Sequence, residues 1–224
     1  MKFFSGFPKE GFKFLEELEK NNNKEWFQQN KTRYKESLET PTKNFVAVMT
    51  DKMQALIGGP VSGKIFRIYR DVRFSRDKTP YNPLVKIAFA PQDKKGKKGC
   101  SSAMYFFRLQ PDSLALGAGV YDLNDNRALD SYRKRVADDE KGSQLAKILK
   151  KFRQNGLWIN EPHYKRVPNG FDKKHPREDL LRHKGLYAFI ETPVANQLST
   201  EKAVDFCLKN YKDLIPLYNW LNGF

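Results

Sequence analysis

The chain has 224 residues and a formal net charge of +15, because 41 Lys and Arg residues outnumber 26 Asp and Glu residues. It has no apolar stretch of the roughly 18–20 residues that cross a bilayer, and its aromatic fraction of 13% argues against disorder. Two cysteines and three histidines predict neither a disulfide framework nor a metal site, so we expect a reduced, cytoplasmic protein without a bound metal.

The positive charge is concentrated in two parts of the chain. Residues 64–99 carry 11 basic and 3 acidic side chains, a net +8, and residues 141–224 carry 15 and 8, a net +7. A basic surface attracts phosphate groups, nucleic acid and other polyanions without choosing between them. Charge alone therefore leaves a polyanionic partner and simple solubility as equal alternatives.

The first 60 residues predict three helices. The first begins at Gly6-Phe7-Pro8, since proline is tolerated in a first helical turn. Asn22 is the predicted N-cap of the second helix, with Glu25 three residues later as in a capping box. Thr40-Pro41 is expected to interrupt that helix, because a residue before proline avoids the helical region. The third helix is predicted over residues 41–56.

The middle of the chain predicts an antiparallel meander. Its strand candidates are rich in β-branched and aromatic residues or alternate in polarity, and they are joined mostly by short turns. They are residues 64–69, 84–89, 103–109 and 113–120. A Lys-rich turn at residues 94–98 separates the second candidate from the third.

Helices return in the last hundred residues. The predicted elements are helices over residues 126–138 and 143–154, a long loop over 158–182 with a short helix near its end, a strand over 186–191, and a helix over 200–221. Pro216 is expected to kink the last helix. Without repeats or linkers, the sequence predicts one α+β domain over residues 1–224. Its central, largely antiparallel sheet would carry N-terminal and C-terminal helices packed on it.

The densest polar segment runs from Arg67 to Tyr81 and fits the pattern R-x-x-R-D-x-R-F-x-x-x-K-x-x-Y. The fixed positions are Arg67, Arg70, Asp71, Arg73, Phe74, Lys78 and Tyr81. With this signature the chain resembles the DUF2461 family, a group of uncharacterised bacterial proteins of similar length. Trp26-Phe27, a glycine segment at residues 116–119 and parts of residues 166–184 are also similar to that family. The resemblance implies a shared fold and site but no activity, so whether the protein is an enzyme stays open.

Three interpretations of the signature remain open. In the favoured one, its arginines and Lys78 outnumber Asp71 and Asp77, which leaves a cation for a phosphate or carboxylate ligand, while Tyr81 donates a hydrogen bond or stacks on a base. In the second, the basic blocks and their aromatic residues bind nucleic acid. In the third, an Arg–Asp network only holds the fold together, so Arg67→Ala or Asp71→Ala would cost several kcal/mol.

A second group of candidates lies in the long loop and just after it. Loops of this length rarely lack a role, and His175, Arg182 and Lys184 would complement an anionic ligand. His175 is the one candidate for proton transfer, since imidazole titrates near neutral pH; the simpler interpretation is that it begins a short helix. The predicted ligand-binding residues are Arg67, Arg70, Asp71, Arg73, Lys78, Tyr81, Arg182 and Lys184, and no cofactor is identified.

Overall fold

The structure is a computed structural model, and it describes residues 3–92 and 102–223. Within these residues, six strands form one antiparallel sheet in the order β1-β2-β3-β4-β6-β5. They are β1 (Val61–Ile65), β2 (Val85–Pro91), β3 (Met104–Leu109), β4 (Ser113–Val120), β5 (Trp158–Ile159) and β6 (Leu186–Pro193). The predicted α+β class with a largely antiparallel sheet is confirmed. The Lys-rich turn at residues 94–98 lies outside the described residues.

Helices precede β1, separate β4 from β6, and follow β6. They are α1 (Lys9–Lys20), α2 (Lys24–Gln29), α3 (Lys31–Tyr34), α4 (Thr40–Ile57), α5 (Asn126–Ala137), α6 (Asp139–Gln154), α7 (Glu178–Leu181), α8 (Ala203–Asp213) and α9 (Ile215–Asn222). A π-helix occupies Lys35–Glu39, and a 3-10 helix occupies Asn196–Ser199. None of the described helices is long and apolar enough to cross a membrane.

The described residues divide into two compact units, and each unit draws on three segments of the chain. The first unit takes its residues from Met1–Phe89, Phe106–Leu116 and Glu191–Asn210. The second takes its residues from Ala90–Tyr105, Gly117–Ile190 and Tyr211–Phe224. A single domain over residues 1–224 stays a prediction.

Each unit has its own buried aromatic cluster. In the first unit the rings of Phe7, Phe45 and Phe107 pack together with centroids 5.0–5.9 Å apart, and α4 packs on β1. In the second unit Tyr105 lies 5.0 Å from Tyr211 and 4.7 Å from Tyr218 between ring centroids. Burial of such large rings is the main source of core stability.

The second helix begins one residue later than the sequence predicts. Asn23, not Asn22, is the N-cap of α2, and its Oδ1 accepts a 2.9 Å hydrogen bond from the backbone N–H of Trp26. Asn22 instead pairs with the backbone of Tyr81, accepting from its N–H and donating to its carbonyl, both at 3.0 Å. The amide of Asn22 therefore ties the start of α2 to the end of the signature segment.

Pro41 does not interrupt the helical path as predicted. Helix α3 continues through the π-helix into α4, and Pro41 lies in the first turn of α4. Proline offers no N–H to the carbonyl four residues earlier, which here belongs to Ser37, and its ring crowds that carbonyl. A wider π-turn relieves this conflict without ending the helix, and such turns are frequent at functional sites.

The predicted strand over residues 64–69 is wrong from residue 66 onward. Strand β1 ends at Ile65, and the last contact with β2 is the 2.9 Å hydrogen bond from the N–H of Phe66 to the carbonyl of Lys86. Beyond it the chain pairs with itself, because the N–H of Arg70 donates to the Pro80 carbonyl at 2.8 Å. The isolated bridge between Tyr69 and Tyr81 belongs to the same fold-back.

The C-terminal region follows the prediction closely. The interruption that Pro216 predicts is present as a break rather than a kink, because α8 ends at Asp213 and α9 begins at Ile215 with the proline in its first turn. The long loop carries α7 near its end, as expected, but also the two-residue strand β5 at its beginning. Strand β5 pairs with β6, with Trp158 opposite Phe189.

Candidate anion-binding site

The signature segment, Arg67 to Tyr81, is a loop of the first unit organised around Arg70. The Arg70 guanidinium forms an ion pair with Asp77 and donates to Thr79 Oγ1 at 2.8 Å. Asp77 also accepts hydrogen bonds from the Thr79 N–H at 2.9 Å and the Thr79 hydroxyl at 2.8 Å. The pKa of Asp77 is lowered to about 2, most strongly by the hydrogen bond from the Thr79 N–H, then by the Thr79 hydroxyl and the Arg70 guanidinium. Arg70 therefore shapes the loop and already has its partner.

Asp71 and Arg73 form a local, exposed pair. The Arg73 guanidinium donates through Nε at 2.9 Å and Nη2 at 2.7 Å to the two carboxylate oxygens of Asp71. This contact lowers the pKa of Asp71 to about 2. The depressed pKa means that the pair persists at neutral pH and is lost only as the pH falls from about 4 toward 2. The side chains remain 61% and 76% exposed, so solvent screens the pair.

Lys78 and Tyr81 are held by contacts within the first unit. The Lys78 ammonium donates to the Val72 carbonyl at 2.9 Å, across the loop. Tyr81 is 5% exposed, and its ring stacks on Phe27 with centroids 4.1 Å apart and planes 16° apart. Phe27 therefore covers one face of the Tyr81 ring, and contact of Tyr81 with a ligand stays a prediction.

Arg67 differs from the other arginines of the signature. It is exposed, and it has no hydrogen-bond or ion-pair partner within residues 3–92 and 102–223. It lines two cavities of the first unit, a larger one of about 800 Å³ and a smaller one of about 430 Å³. A guanidinium with unused donors beside a cavity can accept a planar anion through two hydrogen bonds.

The larger cavity is strongly basic. Its charged lining residues are Lys64, Arg67, Arg70, Asp71, Arg73 and Lys86. The single carboxylate among them, Asp71, is already held by Arg73. Lys64 and Lys86 have no acidic partner in the described part of the chain; Lys64 instead lies over the Phe66 ring, 4.8 Å from its centroid. Among the described residues, three cations of this cavity, Lys64, Arg67 and Lys86, thus have no acidic partner.

The positive charge around the larger cavity affects the pKa of Lys86. Burial lowers the pKa of its ammonium, and the positive charges of Arg108 and Arg70 lower it further. Nearby like charges disfavour the charged form, whereas an anion bound among them would favour it. The larger cavity is therefore a positive region in which an anion would relieve repulsion between fixed cations.

Comparison with known proteins identifies the group to which this fold and loop belong. The family model described as "Conserved hypothetical protein (DUF2461)" matches residues 10–220. The chain belongs to the DUF2461 family. No curated protein matches it. The expected family membership is confirmed, and the family description carries no activity with it.

The second-unit candidates of this DUF2461 protein already have partners there. Arg182 forms an ion pair with Glu178 at 2.9 Å. The Lys184 ammonium contacts Asp122 at 3.3 Å and Asn124 at 3.2 Å. That Arg182 and Lys184 contribute to an anion site stays a prediction.

His175 lies just before α7, and both of its ring nitrogens face backbone groups. Its Nδ1 accepts a 3.1 Å hydrogen bond from the Arg177 N–H, which places the ring proton on Nε2, 3.4 Å from the Ala137 carbonyl. The simpler interpretation, in which His175 helps to begin a short helix, accounts for these contacts. A role in proton transfer stays a prediction.

Arg177 is a structural residue that the sequence prediction missed. Its side chain is buried in the DUF2461 fold, and its guanidinium donates to the carbonyls of Val136 at 2.8 Å and Ala137 at 3.1 Å, at the end of α5. It also donates to the Asp138 carbonyl at 3.1 Å. The last carbonyls of a helix lack intrahelical partners, and a cation at a helix C-terminus complements its dipole.

Proposed function

We propose that this DUF2461 protein binds a small anion of the phosphate or carboxylate type in the larger cavity of its first unit. The observation that carries the proposal is the Arg67 guanidinium, which has no partner among the described residues, beside two further cations that lack acidic partners there, Lys64 and Lys86. Those two cations lie on neighbouring strands, β1 and β2, so the sheet fixes their spacing. Sites built on strands hold their geometry better than sites built on loops alone.

The residues of the signature take different parts in this proposal. Arg67 supplies the planar pair of donors that contacts the anion. Arg70 supports the loop through Asp77, and Lys78 supports it through the Val72 carbonyl. Asp71 holds Arg73 at the edge of the cavity and limits the positive charge there.

Replacing Arg67 by glutamine is expected to weaken binding of inorganic pyrophosphate by about 10-fold or more, the value of a charge-assisted hydrogen bond. Isothermal titration calorimetry at fixed ionic strength measures this change. The thermal midpoint should match that of the wild type, because Arg67 is exposed and without a described partner.

The matched control for this variant is Arg127→Gln, which removes the same charge from an exposed position of the second unit. It separates a built site from the general attraction of a protein with net charge +15. Equal weakening in the two variants, or an Arg67→Gln variant that binds as the wild type does, would contradict the proposal.

Replacing Asp71 by asparagine is expected to tighten pyrophosphate binding by about 3- to 5-fold, since it removes the negative charge of the cavity and releases Arg73. The thermal midpoint should not change, because both partners are exposed. Asp112→Asn, at an exposed turn, is the control for net charge. A large loss of stability would favour the interpretation in which the signature only holds the fold together.

Nucleic acid remains the second candidate partner, and a specific observation favours it. Exposed aromatic side chains are concentrated on the same segment as the cations: Phe66 is 43% exposed, Tyr69 56% and Phe74 96%. Aromatic residues interleaved with cations are typical of surfaces that stack single-stranded bases. Binding to a single strand that falls steeply with salt would support this candidate.

A further inference from the structure

The smaller cavity of the first unit is lined by the same segment as the larger one, but aromatic side chains form more of its wall. Ile65, Phe66, Arg67 and Tyr69 line both cavities. The smaller cavity is also lined by residues of α2, α3, the π-helix and the beginning of α4. Its volume of about 430 Å³ falls within the usual range of small-molecule sites.

Aromatic rings form much of the wall of this smaller cavity. Phe27 is buried, Tyr34 is half-buried, and Phe66 and Tyr69 are exposed. The ring centroids of Phe27 and Tyr34 are 5.3 Å apart, and those of Phe27 and Tyr69 are 6.0 Å apart. Exposed ring faces next to buried ones provide a surface on which a flat ligand ring can stack.

Two polar groups of the wall have unused hydrogen-bonding capacity. Thr42 is 3% exposed, and its Oγ1 has no hydrogen-bond partner within the described residues. Burial raises the pKa of Tyr34 to about 12, so its hydroxyl keeps its proton and can donate. A buried hydroxyl without a partner is costly, which gives a ligand with polar edges a reason to bind here.

The π-helix accounts for part of this shape. Its residues Lys35, Leu38 and Glu39 contribute to the wall, and Glu39 is held by Lys43 at 2.7 Å. The cations Lys31 and Lys35, at the rim, have no acidic partner in the described segments. The smaller cavity therefore combines an aromatic wall, free polar groups and a basic rim, and Arg67 connects it to the larger cavity.

We propose that the anion is the phosphate of a nucleotide unit whose base stacks in the smaller cavity against Tyr69 and Phe66. This inference rests on the proposed function, because the anion that Arg67 contacts in the proposed function is here the nucleotide phosphate. A nucleotide carries both groups that such a site would bind, a flat base for the aromatic wall and a phosphate for the adjoining cation Arg67. Stacking on aromatic rings tolerates different bases, so we expect the site to bind nucleotides as a class rather than one particular base.

The test compares three probes by titration calorimetry: adenosine 5′-monophosphate, uridine 5′-monophosphate and ribose 5-phosphate. We expect the two nucleotides to bind about 10-fold tighter than the sugar phosphate, the contribution of one stacked base. Tyr69→Ala should remove this advantage and leave the affinity for ribose 5-phosphate unchanged, whereas Tyr69→Phe should keep it. Tyr121→Ala, which removes a 69% exposed ring from the second unit, is the matched control and should bind as the wild type does.

The outcomes separate this inference from the proposed function. If ribose 5-phosphate binds as tightly as the nucleotides and Arg67→Gln weakens all three probes, the anion site stands and the nucleotide inference is overturned. If Arg67→Gln leaves every affinity unchanged, the proposed function fails, and this inference fails with it. Loss of the base advantage in Tyr69→Phe as well as Tyr69→Ala would also contradict stacking.

A single-stranded RNA of six adenylates distinguishes a free nucleotide from a nucleotide within a strand. Binding of this strand about 10-fold or more tighter than the mononucleotide, with a steep salt dependence, would assign the nucleotide unit to a nucleic acid strand. Equal or weaker binding would assign it to a free nucleotide. Either result supports the proposal only if Tyr69→Ala weakens the binding of both probes.

Discussion

Replacing Arg177 by methionine is expected to lower the free energy of unfolding by about 3 kcal/mol or more, because hydrogen bonds to charged groups contribute about 1.5–3 kcal/mol each. The guanidinium of this buried residue donates to the carbonyls of Val136 and Ala137 at the end of α5, and to the carbonyl of Asp138, the residue that follows. Methionine fills similar space but offers no donor. Chemical denaturation followed by circular dichroism measures the change.

The control for this variant is Arg127→Met, which removes the same charge from an exposed position in the first turn of α5. Arg and Met have nearly equal helix propensity, so we expect a change within about 0.5 kcal/mol. A loss below about 1 kcal/mol for Arg177→Met would contradict the role of its guanidinium at the end of α5.

Replacing Gly119 by alanine is expected to cost about 3 kcal/mol or more, through backbone strain and overpacking together. Gly119 has a φ of +146°, in a region that other residues rarely adopt. A Cβ there would lie 2.2 Å from the Leu186 carbonyl oxygen and 2.4 Å from the Tyr187 Cα. Both contacts are to the backbone of β6, so β4 and β6 would have to separate.

Gly156→Ala separates the two causes of this loss. Gly156 also has a positive φ, +77°, but none of the described atoms lies within 4 Å of an added Cβ. Its variant should lose only the conformational term, about 1–2 kcal/mol. Equal losses at Gly119 and Gly156 would show that the close approach of β4 and β6 contributes nothing.

Local sequence patterns were sufficient for most elements of the fold. Strand β4 is predicted with its exact bounds, Ser113–Val120, and the break near Pro216 follows from the chemistry of proline alone. The prediction failed where contacts between residues distant in sequence determine where an element ends. Residues 64–69 have strand-like composition, but the end of β1 depends on how residues 66–82 pair with one another.

The candidate site was predictable only in part, for the same reason. The signature points to Arg67, but nothing local in the sequence distinguishes its guanidinium, which has no partner in the described part of the chain, from that of Arg70, which pairs with Asp77. Tyr81 is fixed by Asn22, 59 residues away, and is buried against Phe27. Lys86 joins the cavity only because β2 pairs beside β1.

Arg177 was missed for a similar reason, since the carbonyls that it serves lie about 40 residues earlier in the chain. Only the folded chain brings Arg177 next to these carbonyls, and the composition of the loop gives no sign of that contact. A basic residue in a polar loop gives no local sign that it is buried. Long-range contacts of this kind are therefore the part of the structure that sequence patterns cannot predict.

The most direct test of the anion site is an NMR titration of the arginine side-chain Nε–H signals with inorganic pyrophosphate at constant ionic strength. The Arg67 signal, assigned through the Arg67→Gln variant, should show a large, saturable shift at lower pyrophosphate concentration than the signals of Arg127 and Arg166, two exposed arginines of the second unit. An unchanged Arg67 signal, or shifts of equal size and midpoint at all three arginines, would contradict a built anion site at the signature.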